Sequence, residues 1–202
     1  ARGLAIDMLA SVRLPDPGEV VDRYPHQLSG GQRQRALIAM ALSCHPSLLI
    51  ADEPTTALDV TTEAQIIELM LDMQAELGMS IMYITHNLGV IAQMAEEVIV
   101  MYLGGVVEQA SVEAIFNDPK HPYTRALLRS IPKIGLKSGE RLEAIRGVVP
   151  DPLSLPSGCR FHNRCQQYMP GVCDRSEPSA ADVGGGHLVS CFLYDGAGER
   201  GE

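Results

Sequence analysis

The chain has 202 residues, of which 46% are hydrophobic and 4% aromatic, and its formal net charge is −9. This length accommodates one or two modest domains, and an apolar content without any Trp favours α/β packing over a β-sandwich. No apolar run approaches the roughly 18 residues that span a bilayer, so we expect no membrane-spanning segment.

Charge is distributed unevenly along the chain. Residues 36–119 contain twelve Asp and Glu but no Lys or Arg, whereas residues 120–164 contain nine basic residues against three acidic ones. Such a basic run is most often a solvated linker, and the alternative is a contact with a partner subunit or an anionic lipid. Because aromatic residues do not alternate with the basic ones, the pattern disfavours a nucleic-acid partner.

The first part of the chain predicts alternating helices and strands. Apolar spacing predicts a helix over 3–12 and a second helix that Ser29 caps and that buries Cys44. The uninterrupted apolar run at 47–51 predicts a central parallel strand covered on both faces. The later elements are a helix at 61–77, a strand at 80–85, a helix at 88–95 and a strand at 97–103. This succession predicts a doubly wound sheet.

The pattern changes near residue 110. Gly104 and Gly105 predict a hairpin into VVEQ, and short helices are predicted at 112–116 and 122–129. Beyond about residue 139 the chain is punctuated by Gly and Pro and reads as loops. We therefore predict two domains, an α/β domain at 1–110 and a loop-rich extension at 111–202.

Two short motifs carry groups that act on phosphates. Ser29, Gly30 and Gly31 open a predicted helix, where backbone N–H groups and the helix dipole favour an anion. Asp52 and Glu53 follow a predicted strand, at the edge where open α/β sheets place ligands. Each motif alone is weak, since Ser-Gly-Gly is usually only a turn.

The motifs gain specificity from their order along the chain. LSGGQRQR at 28–35, LLIADEP at 48–54, TALD at 56–59 and ITHN at 84–87 follow one another. Together they resemble the second half of an ATP-binding cassette (ABC) ATPase. The resemblance implies part of a P-loop ATPase fold, with a parallel sheet, flanking helices and a partial helical subdomain.

The resemblance also implies a site for ATP and Mg²⁺ in a head-to-tail dimer. Asp52 would hold Mg²⁺, Glu53 would act as general base on the attacking water, and His86 would contact the γ-phosphate. Asp59 would couple the two sites across the interface, although an N-cap role explains it equally well. The residues implied to contact ATP held by the opposite subunit are Ser29, Gly30, Gly31 and Gln32.

One family motif does not occur in the chain. The phosphate-binding loop, GxxxxGK followed by Ser or Thr, is absent, and the first residue is Ala1. We therefore expect a sequence truncated at its N-terminus that does not hydrolyse ATP alone.

Motifs in the extension narrow the resemblance. HPYTRALL at 121–128 and GCRFHNRC at 158–165 resemble the ATP-binding subunits of dipeptide and oligopeptide importers, a group that includes nickel and glutathione importers. This implies a peripheral ATPase on the cytoplasmic face of the inner membrane. Its partners would be a second ATP-binding subunit, two transmembrane permease subunits and, indirectly, an extracytoplasmic peptide-binding protein.

Four cysteines lie in the extension. Cys159, Cys165, Cys173 and Cys191 are spaced C-x5-C-x7-C-x17-C, and structural disulfides are rare in cytosolic proteins. Four thiols are candidate metal ligands, but without tight C-x2-C pairs the spacing does not choose zinc over an iron–sulfur cluster. The resemblance implies a 4Fe–4S cluster; zinc and unligated thiols are the alternatives.

Two other functions fit parts of the pattern. A nucleic-acid-associated ABC ATPase would share LSGGQ and the acidic pair, but the long coiled-coil insertions or tandem cassette expected of it do not occur in this sequence. A non-catalytic half-cassette would offer a signature face and a Cys-rich tail without a complete nucleotide site. Equilibrium ATP binding distinguishes the half-cassette, which should bind none, from the peptide importer, which should bind ATP once its upstream half is present.

Overall fold

The computed structural model describes residues 1–130 and 145–195. The chain folds as two compact units, Ala1–Met94 and Ala95–Glu202. Among the described residues, no helix is long and apolar enough to cross a membrane.

Five helices and two parallel strands build the first unit. The helices are α1 (Arg2–Ser11), α2 (Pro17–Val20), α3 (Gly30–Leu42), α4 (Val60–Leu77) and α5 (Leu88–Met94), with a 3-10 turn at Pro25–Gln27. β1 (Leu48–Asp52) and β2 (Ser80–Ile84) pair in parallel, with Leu48 opposite Ser80 and Asp52 opposite Ile84. Both strands therefore end at the same edge.

The limits of the long helices follow from local chemistry. Asp59 caps α4 by accepting the N–H of Thr62 at 3.0 Å, and Gly78 ends it in the left-handed conformation at φ +64°. Both ends agree with the predicted cap and stop. α3 ends at Leu42, so Cys44 lies beyond the helix and is exposed. The prediction that Cys44 is buried was therefore wrong.

The core of the first unit lies on one face of the strand pair. Ala51 is buried in this core and Leu49 packs against it. Leu48 and Ile50 point the other way and are 49% and 58% exposed. Alternate side chains of a strand leave on opposite sides, and those on the second side of β1 stay exposed. The expectation that β1 is covered on both faces was therefore wrong for the described residues. The buried helical side chains of the core include Val12, Ile38, Leu42, Ile66, Leu69 and Met70.

A four-stranded antiparallel sheet organises the second unit. Its elements are β3 (Glu97–Tyr102), β4 (Gly105–Ser111), α6 (Val112–Asn117), α7 (Pro122–Arg129), β5 (Ala180–Asp182) and β6 (Leu188–Ser190), with 3-10 turns at His162–Arg164 and Phe192–Tyr194. The strand order is β3-β4-β6-β5. Leu103 and Gly104 join β3 to β4 with φ of +47° and +74°. The hairpin predicted from Gly104 and Gly105 is thus confirmed, with its turn one residue earlier.

The pairing of β3 corrects the predicted topology. β3 pairs antiparallel with β4, and Glu108 and Gln109 of β4 pair with Val189 and Leu188 of β6. The prediction that this strand extends a doubly wound sheet was wrong, because the hairpin satisfies its backbone locally. The hairpin belongs to the second unit, whose first residue is Ala95. The functional division near residue 110 stays a prediction.

Candidate functional site

Acidic and imidazole side chains meet at the carboxyl ends of β1 and β2. Asp52 is the last residue of β1, and the following Glu53 donates its backbone N–H to the carbonyl of Ile84 in β2 at 2.9 Å. His86 follows β2, and its Nδ1 lies 2.9 Å from Oε1 of Glu53. The parallel register thus unites two residues that the sequence analysis singled out separately.

Both carboxylate oxygens of Glu53 are hydrogen-bonded. The hydroxyl of Thr56 donates to Oε2 at 3.0 Å. The hydrogen bond from His86, followed by that from Thr56, holds the pKa of Glu53 below its ordinary value. Because an ionised carboxylate only accepts hydrogen bonds, Nδ1 of His86 is the donor. The side chains remain accessible, at 45% exposed for Glu53 and 81% for His86.

The backbone turns sharply where β1 ends. Glu53 has a φ of +44° and Ala57 a φ of +68°, in the left-handed region that residues with a side chain adopt rarely. Such strained positions cluster at functional sites. The strain here directs a carboxylate toward the end of β2, which is where His86 lies.

Two threonines that the sequence analysis did not single out support this turn. Thr56 orients Glu53 as described above, and buried Thr55 donates its hydroxyl to Oε1 of Glu63 at 2.7 Å. The hydroxyl of Tyr83 lies 3.4 Å from that of Thr55, and burial raises the pKa of Tyr83. In the sequence, these contacts are indicated only by the position of two threonines close after the acidic pair.

The signature motif forms a reciprocal cap at the start of α3. The hydroxyl of Ser29 accepts the N–H of Gln32 at 3.2 Å, and Oε1 of Gln32 accepts the N–H of Ser29 at 3.0 Å. This capping box confirms the predicted N-cap. Gly30 and Gly31 form the first turn, so the N-terminus of α3 presents backbone rather than side chains.

Gly31 also permits a close approach to α4. A Cβ at this position would lie 2.7 Å from the Cγ2 atom of Thr62. Thr62 donates its hydroxyl to Oδ2 of Asp59 at 2.7 Å, and this bond is the main cause of the lowered pKa of Asp59. The signature and the residue expected at the dimer interface are thus neighbours. Within residues 1–130 and 145–195, no hydrogen bond joins either of them to Glu53.

The four late cysteines lie in the second unit as free thiols. Cys173 and Cys191 are buried, and the N–H of Cys159 donates to the carbonyl of Cys173 at 2.8 Å. Burial raises the pKa of Cys159, Cys165 and Cys191, the last to about 11, and repulsion among the thiolates adds to each shift. The four sulfur atoms therefore lie within electrostatic range of one another.

Gly158 allows the cysteine segments to approach. It has a φ of +70°, and a Cβ there would lie 2.4 Å from the carbonyl oxygen of Cys173. The donor set is soft and suits iron–sulfur clusters or zinc. In the part of the chain that the structure describes, however, no group of three or more His, Cys, Asp or Glu side chains is already arranged to hold a metal ion.

Comparison with known proteins adds two family matches. The family model for ABC transporters matches residues 2–56, and that for the C-terminal region of oligopeptide/dipeptide transporters matches residues 107–173. The second match includes Cys159, Cys165 and Cys173.

Individual relatives match nearly the whole chain. The oligopeptide transport ATP-binding protein AppD of Bacillus subtilis is 51% identical over 200 residues, which are 98% of this chain and 60% of that protein. The dipeptide transport ATP-binding protein DppD of Escherichia coli is 49% identical over 198 residues, again 98% of this chain and 60% of that protein. The chain thus spans about 60% of the length of these relatives.

A solved structure is similar over part of the chain. CbiO1 of Clostridium perfringens, described as part of the ABC transporter complex cbiONQ, aligns with a TM-score of 0.51 and 32% identity. The alignment covers 58% of this chain and 45% of that one.

Proposed function

The chain belongs to the ABC transporter family, and from this premise we propose that it forms part of the ATP-hydrolysing, energy-coupling subunit of a dipeptide or oligopeptide importer. The 2.9 Å contact between Glu53 and His86 carries the proposal. An ionised carboxylate held against an imidazole, both accessible at the end of parallel strands, is suited to activating water beside a phosphate group. The names of AppD and DppD support peptide transport.

Glu53 is the general base in this proposal. Its Oε1 accepts from His86 and its Oε2 accepts from Thr56, so two donors orient the carboxylate. A carboxylate retains further lone pairs that accept a proton from water. His86 lies on the outer side of the pair and contacts the γ-phosphate.

Asp52 holds Mg²⁺ in this proposal. Its carboxylate is exposed at the end of β1, directly before the proposed base, and carboxylate oxygen is a ligand that Mg²⁺ prefers. Bound Mg²⁺ neutralises negative charge on the β- and γ-phosphates. The residue therefore fits the ion that ATP hydrolysis requires.

The signature motif acts on the ATP of a second, head-to-tail subunit. Its helix N-terminus offers backbone N–H groups to a phosphate, and the capping box holds that terminus in place. Asp59, which abuts the signature through Thr62 and Gly31, couples the two sites across the interface. The residues that contact nucleotide in trans are Ser29, Gly30, Gly31 and Gln32.

ATP hydrolysis in this proposal needs one element that the 202 residues do not contain. The nucleotide site requires a phosphate-binding loop, and no GxxxxGK motif occurs in the 202 residues. We expect the chain by itself to turn over no ATP. In the complete transporter the subunit lies peripherally on the cytoplasmic face of the membrane, against two permease subunits that receive peptide from an extracytoplasmic binding protein.

Replacement of the proposed base tests the function. In an ATPase that includes the phosphate-binding loop, Glu53→Gln should lower the rate of ATP hydrolysis by about 100-fold or more while ATP still binds, because the amide cannot accept the proton. Phosphate release and equilibrium nucleotide binding measure the two properties. Glu76→Gln, an exposed change on α4, should leave both unchanged. Normal hydrolysis by Glu53→Gln would refute the role.

The cysteines of the second unit hold a 4Fe–4S cluster in this proposal. Soft thiolates are the ligands of such clusters. A cationic metal centre would favour the thiolate forms of Cys159, Cys165 and Cys191, whose pKa values burial and neighbouring thiolates raise. Iron and acid-labile sulfide should be found in anaerobically purified protein and in Cys44→Ser, and should be lost in Cys165→Ser. Zinc in place of iron, or neither metal, would contradict the cluster.

A further inference from the structure

Four arginines line one cavity of the second unit. The cavity has a volume of about 90 Å³, and its lining includes Arg125 and Arg129 of α7 together with Arg146 and Arg164. Among the described residues, none that lines the cavity is acidic. We propose that this cavity, here called the arginine pocket, binds the phosphate group of a small anion or of a phospholipid headgroup.

Neutral groups orient the guanidinium of Arg125. Its Nε donates to the carbonyl of Pro119 at 2.8 Å and its NH2 to the hydroxyl of Tyr194 at 3.0 Å. Arg125 is one of the groups that lower the pKa of Asp118, but that carboxylate is already paired with Nζ of Lys120 at 2.6 Å. Among the described residues, the guanidinium of Arg125 is thus held by neutral acceptors and not by a carboxylate.

Arg164 is positioned in the same way. Its Nε and NH2 donate to the carbonyls of Arg146 and Ile145 at 3.0 and 3.1 Å, and its NH1 lies 3.3 Å from the hydroxyl of Tyr102. These acceptors carry no charge, so they fix the position of the side chain but do not neutralise its positive charge. Among the described residues, the side chain of Arg146 has no hydrogen-bond or ion-pair partner.

The chemistry of such a pocket favours a phosphate group. Arginine presents a planar fork of donors that matches phosphate oxygens, and like charges brought together are stabilised by an anion between them. The cavity of about 90 Å³ has room for several water-sized groups, which is enough for one phosphate group.

Binding at this site would act on the cysteine region. Arg164 belongs to the segment between Cys159 and Cys165, whereas Arg125 and Arg129 belong to α7. An anion held by both would join α7 to that segment and stabilise the second unit by mass action. The arginine pocket would therefore link phosphate availability, or contact with an anionic membrane, to the order of the cysteine region.

Titration with inorganic phosphate tests the pocket. Calorimetry on the full chain at constant ionic strength should give saturable binding of one phosphate, which chloride does not reproduce. Arg146→Gln should weaken binding about tenfold or more, because it removes a charge-assisted contact without removing any hydrogen bond described above. Arg175→Gln, an exposed change elsewhere in the unit, should bind like the unchanged protein.

Vesicles separate the two sources of the phosphate group. Cosedimentation with phosphatidic acid vesicles, but not with phosphatidylcholine vesicles, together with competition by inorganic phosphate, would assign the pocket to a headgroup. Binding of inorganic phosphate alone would assign it to a free anion. Phosphate binding that equals chloride binding, or that Arg146→Gln leaves unchanged, would overturn the proposal. Phosphate bound at the signature motif instead of the pocket would show itself as binding that Arg146→Gln leaves unchanged.

Discussion

In the part of the chain that the structure describes, each unit has one close glutamate–histidine pair, and the two pairs lie in opposite environments. In the first unit Glu53 and His86 are 2.9 Å apart with side chains 45% and 81% exposed. In the second unit Glu108 and His187 are 2.7 Å apart with side chains 0% and 8% exposed. Solvent screens the first pair, so it adds little to stability and stays open to a ligand. The second pair is withdrawn from water, so removal of one partner would leave the other buried without compensation.

The buried pair is part of a larger junction. The carboxylate of Glu108 accepts the backbone N–H groups of Lys120 and His121 at 2.5 and 3.1 Å and the Nε2–H of His187 at 2.7 Å. Glu108 lies on β4 and His187 directly precedes β6, while His121 caps α7. The carboxylate of Glu108 therefore joins β4, the start of α7 and the residue before β6 by hydrogen bonds.

The largest expected effect is the loss of this carboxylate. Glu108→Gln leaves two backbone donors and an imidazole competing for one amide oxygen, and breaking a buried pair of this kind costs about 4 kcal/mol. Urea unfolding followed by circular dichroism should show this loss. The same change at the exposed pair, Glu53→Gln, should leave the midpoint unchanged. Equal effects at the two sites would end the contrast between them.

The next effect is a pH dependence of the stability of the second unit, to which His121 contributes. Burial lowers the pKa of His121 from 6.5 to about 4; Glu108 opposes this shift and Arg125 adds to it. His121 of the unfolded chain therefore takes up a proton near pH 6.5, whereas His121 of the native state takes it up only near pH 4. Stability should be lost as pH falls through this window, by about 3 kcal/mol in all.

A substitution that keeps the cap isolates this contribution. Nδ1 of His121 accepts the N–H of Tyr123 at 3.0 Å, and the Oδ1 of Asn can do the same without titrating. His121→Asn should therefore show a shallower loss of stability between pH 6.5 and pH 4, whereas the change of exposed His26 to Asn should not. Parallel curves for His121→Asn and the unchanged protein would contradict the assignment.

The two units also differ in how far the sequence predicts them. In the first unit, helix caps and strand-end acids are local signals, so Ser29, Asp59 and the Glu53–His86 edge could be predicted. The exposed face of β1 could not, because an apolar run shows that side chains are apolar and not which of them are covered. Which face of a strand is covered depends on the elements that pack against it, and these are distant in the sequence.

In the second unit the decisive contacts join distant segments. Glu108 stands in the string VVEQ, which looks like a strand with a solvent-facing acid, and its partner His187 follows a run of three glycines. β6 has only three residues, too few for a periodic signal. Its pairing with β4 depends on residues about eighty positions apart, so neither the sheet order nor the arginine pocket could be derived from local patterns.

The smallest effect concerns the signature, where one side chain serves both folding and the proposed chemistry. Ser29→Ala removes the acceptor for the N–H of Gln32 and should cost about 1 kcal/mol of stability, measured by urea unfolding. Ser43→Ala at the other end of α3 removes only a hydroxyl that donates to the carbonyl of Met40, so it should cost less. An equal loss of unfolding free energy in both variants would mean that the capping box stabilises α3 no more than the single hydrogen bond of Ser43 does.

Ser29→Asn separates the two tasks of this residue. Asn is as good an N-cap as Ser, so the variant should recover the stability that Ser29→Ala loses. In an ATPase that includes the phosphate-binding loop, it nevertheless replaces the hydroxyl beside the nucleotide of the opposite subunit with a larger amide. Restored stability with reduced ATP hydrolysis would mean that the exposed polar groups of the first unit are retained for a ligand. Restored stability with full hydrolysis would mean that Ser29 serves the helix alone, as Glu108 serves the second unit.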